Sequence, residues 1–170
     1  EDIALVYEIT NNEESGLGEY KLPRGKARLF GDDGLGSTIF LGEDILKETP
    51  PAEDAELALG SVRDVVLKRY EMKNERTDIK YNDSKRPVMF DVERSLRYEI
   101  ENFKTEPVTL RIHEYMHGDW NIEEISEEGV RTERKSINEL IIYVDLPAAP
   151  GGEEAEKKLV DLALLLKNRF

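Results

Sequence analysis

Hydrophobic and polar residues alternate along much of this chain, and the alternation has a period of two. In "VMFDVERSLRYEIENF", Val88, Phe90, Val92, Leu96, Tyr98 and Ile100 fall on one face. Met89, Asp91, Glu93, Ser95, Arg97 and Glu99 fall on the other. Successive side chains of a strand point to opposite faces, so the spacing predicts a long β-strand with one dry side. Arg94 interrupts the dry side and predicts a bulge or a sheet edge there. "NELIIYVDL" repeats the pattern with Leu140, Ile142, Val144 and Leu146 inward, and "IALVYEI" does so with Ile3, Leu5, Tyr7 and Ile9. "AELAL" and "VRDVVLKRYEM" read as shorter strands.

Turn chemistry separates these runs. "GDDGLGS" at 31–37 lies between "ARLF" and "TIFLG" and reads as the turn of a hairpin. "KETPPAED" is a proline-rich connection, and "NDSKRP" and "KTEP" punctuate the later strands. Short alternating strands with no helical segments between them predict an all-β fold, an antiparallel immunoglobulin-like β-sandwich, with residues 1–170 as one domain. The C-terminus is open to two readings. "EEAEKKLVDLALLLKNRF" is rich in helix formers, yet Val160, Leu162, Leu164 and Leu166 also alternate with Asp161, Ala163, Leu165 and Lys167.

Composition narrows the partners. The 170 residues are 36% charged and carry a formal net charge of −13, which repels nucleic acid and anionic membranes at long range. The acidity comes in short clusters, Glu123–Glu124, Glu127–Glu128 and Glu153–Glu154, which read as solvated loop charges. Without cysteine there is neither a disulfide nor a thiolate metal site. No apolar run approaches the ~20 residues needed to span a bilayer. A chain of this size buries roughly two-thirds of its unfolded surface, enough for a real core.

One stretch spells a catalytic motif. "HEYMH", residues 113 to 117, matches the H-E-x-x-H signature in which two histidines bind zinc and the glutamate activates water. That chemistry needs a helix, where His113 and His117 would stand ~6 Å apart at a rise of ~1.5 Å per residue. In a strand the same positions are ~13 Å apart at ~3.3 Å per residue, too far to share an ion. The stretch runs between Pro107 and Gly118, and Val108, Leu110 and Ile112 alternate with Thr109, Arg111 and His113. The expectation is a strand with His113 and Tyr115 on its wetter face, His117 entering the turn, and no catalytic or metal site. "GDDGLG" lacks the ending of a phosphate loop and the ligand spacing of a calcium loop. No G-x-S-x-G elbow occurs. Trp120 reads as core, and Asn82-Asp83-Ser84 is a glycosylation sequon for hosts that use one.

Four segments, "LPRGKARLF" at 22–30, "FLGEDILKETP" at 40–50, "LGSVRDVV" at 59–66 and "EPVTLRIHEYMHGDW" at 106–120, come in an order that resembles the C-terminal domain of mucoidy-inhibitor-A-like proteins. That domain is of unknown function. The resemblance spans about residues 5 to 146; Ala27 and Glu48 depart from the usual valine and histidine, and 74–87 is only loosely similar. It implies that 160–170 is a strand closing the domain. It also implies that the chain is an excised C-terminal piece of a longer protein. At the positions of His113 and His117 such proteins carry aliphatic residues and proline, which implies no zinc ligand there.

The expected function is therefore a non-catalytic interaction or structural module without a cofactor, associated with the cell envelope. The compartment would be periplasmic, secreted or cell-surface, and the partner a protein or glycan, not nucleic acid. No membrane insertion is expected, and a monomer or weak dimer is. The first alternative is a carbohydrate-binding module using Tyr81, Tyr115 and Trp120. The second is a zinc-dependent hydrolase using His113, Glu114 and His117.

Overall fold

The computed structural model describes residues 3–32, 36–126, 128–149 and 155–170, and all regular structure among them is β-strand in antiparallel pairs. The described residues fall into two compact units, residues 3–63 and 64–170.

The first unit holds β1 (Ile3–Thr10), β2 (Gly25–Asp32), β3 (Thr38–Leu46) and β4 (Asp54–Val62). β1 pairs with β4 and β2 pairs with β3. The hairpin expected at 31–37 is present, with Asp32 opposite Thr38, although residues 33–35 of its turn lie outside the described residues. Its core is small: Ala55 and Leu57 are the buried apolar side chains among its described residues. The inward set expected for β1 does not hold, because Tyr7 and Ile9 are exposed. The pairing with β4 shifts register opposite Ala4 and Val6, with the extra residue in β4 between Ala58 and Ser61.

What orders this unit beyond its strands is a polar residue. Asn11 is fully buried; its Nδ2 donates to the carbonyls of Tyr20 (3.0 Å) and Thr49 (3.1 Å), and its Oδ1 accepts from Gly18 N (2.9 Å). One amide thereby ties residues 18–20 to the strand ends. Gly18 adopts φ +100°, and a Cβ there would lie 2.8 Å from the backbone of Asn12. Only glycine fits both demands.

The second unit has two layers. One sheet has the order β5-β6-β11-β8, from β5 (Val65–Tyr81), β6 (Pro87–Asn102), β11 (Lys157–Arg169) and β8 (Asp119–Ile125). The other has the order β7-β10-β9, from β7 (Val108–Tyr115), β10 (Glu139–Leu146) and β9 (Val130–Ser136). Leu96, Tyr98 and Ile100 of β6 and Val160, Leu162, Leu164 and Leu166 of β11 are buried. So are Leu110 and Ile112 of β7 and Leu140, Ile142, Val144 and Leu146 of β10. Side chains of the first sheet bond to β7 of the second, which gives a sandwich-like architecture.

The alternation at the C-terminus is that of a strand, and β11 runs between β6 and β8 against the helix propensity of its residues. Burial of four large aliphatic side chains in one row, at roughly 1.5–3 kcal/mol each, outweighs propensities worth only tenths per residue. Arg94 marks a bulge, which sits in its neighbour: Glu71 lies opposite Leu96 but Lys73 opposite Ser95, leaving Met72 extra in β5. The dry face of β6 also fades toward its start, where Val88 is exposed. Glu123 and Glu124 are exposed as expected but stand on β8 instead of a loop, while Glu127, Glu153 and Glu154 lie outside the described residues. No helix among the described residues is long and apolar enough to cross a membrane.

Candidate functional site

The H-E-x-x-H stretch lies on β7, and the strand separates its parts. Leu110, Ile112 and Glu114 point into the unit, while His113 and Tyr115 point outward and are exposed. His117 is exposed beyond the strand end, just before Gly118, which turns the chain with φ +77°. A zincin's two histidines must converge on a metal beside their glutamate, and here adjacent members occupy opposite faces of a sheet. Among the described residues, no group of three or more His, Asp or Glu side chains is placed to hold a metal ion.

Glu114 is the unexpected residue. It is a carboxylate with only 6% of its surface exposed, set in a face of aliphatic side chains. Arg69 of β5 meets it in a bidentate pair, Nε donating to Oε1 at 2.6 Å and Nη2 to Oε2 at 3.1 Å. The Tyr98 hydroxyl of β6 donates to Oε1 at 2.8 Å. Both oxygens are thus occupied, and the forked geometry is the strong form of such a pair. The bond to Glu114 holds the Arg69 guanidinium above its ordinary pKa. Burial, reinforced by the Glu114 charge, pushes the Tyr98 phenol well above the usual tyrosine range. The carboxylate is a structural acceptor joining the two sheets. A general base would need a free lone pair facing a substrate.

Outside the sheet, His113 Nδ1 lies 2.8 Å from Glu139 Oε1, and the Tyr115 hydroxyl bonds to the same carboxylate. These two contacts, that from His113 foremost, hold the Glu139 carboxyl below its usual range. The cluster is solvent-facing and polar. Trp120 is buried, as expected of core. Its Nε1 donates to Ile137 O at 2.7 Å, and Arg134 covers the ring with Cζ 4.0 Å from the centroid. Of the three aromatics considered for sugar stacking, Trp120 is therefore spent on packing, whereas Tyr81 and Tyr115 are exposed on β5 and β7. Asn82 closes the β5–β6 turn, its Oδ1 accepting from the backbone N–H groups of Ser84 and Arg86.

Sequence reasoning placed His113 and Tyr115 outward but did not single out the Arg69–Glu114–Tyr98 group. The signal was present. Arg69 follows Val65 and Leu67 at alternate positions, Glu114 follows Leu110 and Ile112, and Tyr98 stands between Leu96 and Ile100. Opposite charges on two dry faces need each other.

Comparison with protein-family models, with curated proteins and with solved structures yields no match.

Proposed function

We propose that this chain is a non-catalytic interaction or structural module of immunoglobulin-like architecture that works at the cell envelope. The observation that supports the first part is the fate of its one catalytic-looking motif. Glu114 is consumed in a bond between sheets, and His113 faces away from it. The immunoglobulin likeness is one of layers: β5 to β11 divide four and three between two antiparallel sheets, around a buried tryptophan. The connectivity is its own, since β11 lies between β6 and β8 where an immunoglobulin domain would place the fifth strand, β9.

The envelope assignment draws on the resemblance to mucoidy-inhibitor-A-like domains. Its segments fall on continuous elements: 22–30 runs into β2, 40–50 covers most of β3, 59–66 joins β4 to β5, and 106–120 spans β7 and enters β8. The reading is tested by zinc analysis and casein hydrolysis with the purified chain and its His113→Ala variant, beside a glycan array. The reading expects neither bound zinc nor hydrolysis. Stoichiometric zinc with hydrolysis that disappears in His113→Ala would overturn it, and saturable binding of one glycan class would replace it by a carbohydrate-binding module.

A further inference from the structure

We propose that β2 docks a second copy of this chain edge to edge, about a two-fold axis at Leu29, to form a β3-β2-β2-β3 sheet in a homodimer. The inference goes beyond the interaction-module reading and stands without it.

Open sheet edges are surfaces for strand pairing, and irregularities protect them. The edges of this protein are protected unevenly. β4 shifts register between Ala58 and Ser61. β5 does so between Glu71 and Lys73 and again between Thr77 and Lys80. β8 carries an extra residue at Glu123, β9 one at Lys135, and β3 one at Leu41. β1, β2 and β7 run unbroken, and β1 carries one charged residue, Glu8, so no register of it sets opposite charges against each other. β2 is bonded to β3 on one side, and its sheet ends there among the described residues.

An antiparallel pair of identical strands related by a two-fold axis normal to the sheet must place one residue opposite itself, because paired side chains share a face. With the axis at Leu29, residues 26–32 of each copy are paired. Lys26 then stands opposite Asp32, Ala27 opposite Gly31, and Arg28 opposite Phe30, each twice by symmetry. The charged positions meet opposite charge, and the guanidinium meets an aromatic face, a favourable cation–π partner. Moving the axis to Ala27 would oppose Lys26 to Arg28, and to Arg28 would oppose two guanidinium groups. An axis at Phe30 pairs Arg28 with Asp32 but leaves only 28–32 overlapping within the strand. β7 offers no comparable register: an axis at Arg111 sets that residue against itself, and one at Ile112 sets Arg111 against His113.

The outer face of the hairpin is suited to this extension. Phe30 (58% exposed) and Phe40 (56%) lie opposite each other across β2 and β3, with ring centroids 5.5 Å apart. Arg28 donates to Glu43 at 3.1 Å in the same pairing row. Dimerisation would run each Phe40–Phe30 pair into the Arg28–Glu43 pair of the other copy, making a continuous row across four strands. Phe30, exposed on an otherwise acidic chain, would gain a neighbour across the seam.

Sedimentation velocity of the full 170-residue chain across a concentration series tests this, with the variants Lys26→Asp and Asp32→Lys. The wild type is expected to dimerise reversibly. Each variant alone sets like charges opposite each other at two places and should weaken dimerisation roughly tenfold or more. An equimolar mixture of the two should recover a heterodimer, because every 26–32 contact between unlike copies is then Asp against Lys. That recovery also shows both variants to be folded. A wild type that stays monomeric at its solubility limit, a dimer indifferent to Lys26→Asp, or a mixture that fails to pair would each overturn the proposal.

Discussion

Asn11 and Glu114 are two buried polar hubs of this structure, each with its hydrogen bonds made, so their removal is costly for their size. Replacing Asn11 by alanine strands the Gly18 amide and the Tyr20 carbonyl, and leaves the Thr49 carbonyl with its bond from Leu22 N alone. Unpaired buried polar groups cost about 1–3 kcal/mol each, less where water enters, so a loss of about 3 kcal/mol is expected. Hydrogen exchange followed by peptide should show it as faster exchange over 11–22 with β6 and β11 unchanged; equal acceleration everywhere would contradict the assignment. Neither hub was picked out from the sequence. Alternation does place Glu114 on a dry face, but a pattern of faces cannot say which opposite charge arrives from another sheet. Asn11 lies beyond a strand end, where no periodicity applies.

At the scale of elements, the strands that carry the core of residues 64–170 were legible because their apolar sets keep strict period two: Leu96, Tyr98 and Ile100; Leu140, Ile142 and Val144. The strands that escaped notice are those at the edges. β9, "VRTERKS", is exposed at all positions after Val130 and owes its existence to the bonds it makes to β10. β11 was decided by packing, since its residues satisfy both a helix scale and a strand pattern. Its central place between β6 and β8 gives a direct expectation for Leu162, which is 1% exposed. Leu162→Ala should lower stability by about 2–5 kcal/mol in urea unfolding followed by Trp120 fluorescence. A change below about 0.5 kcal/mol, as for a surface substitution, would mean that the strand is peripheral.

For the whole molecule, the charge imbalance and the ion pairs set the response to acid. The Asp161 carboxyl is held low chiefly by its bond from Arg97, Glu71 by Asn74 and then Arg94, Glu43 by Lys26 and then Arg28, and Asp44 by the backbone amides of Ala58 and Ile45. A carboxyl whose folded pKa lies below its unfolded value stabilises the fold above the unfolded value, about 4, and ceases to do so as pH falls through the folded one. Thermal unfolding temperatures should therefore be flat near neutrality and fall as pH drops below about 4. A protein that gained stability on acidification through that window would refute these pairings. Period-two patterning predicts strands without saying how they group into sheets or units.

The central claim is that residues 108–115 form a strand that points Glu114 into the sandwich and His113 out of it. Trp120 is the only tryptophan and is buried in the same unit, so its fluorescence reports directly on that unit's unfolding. Denaturant midpoints of Glu114→Ala, His113→Ala and His117→Ala test the claim most directly. Glu114→Ala should cost about 3–5 kcal/mol, leaving Arg69 and Tyr98 without their acceptor, while both histidine variants keep the wild-type midpoint with or without zinc. A zinc-dependent midpoint that either histidine substitution abolishes, beside an unchanged Glu114→Ala, would contradict it.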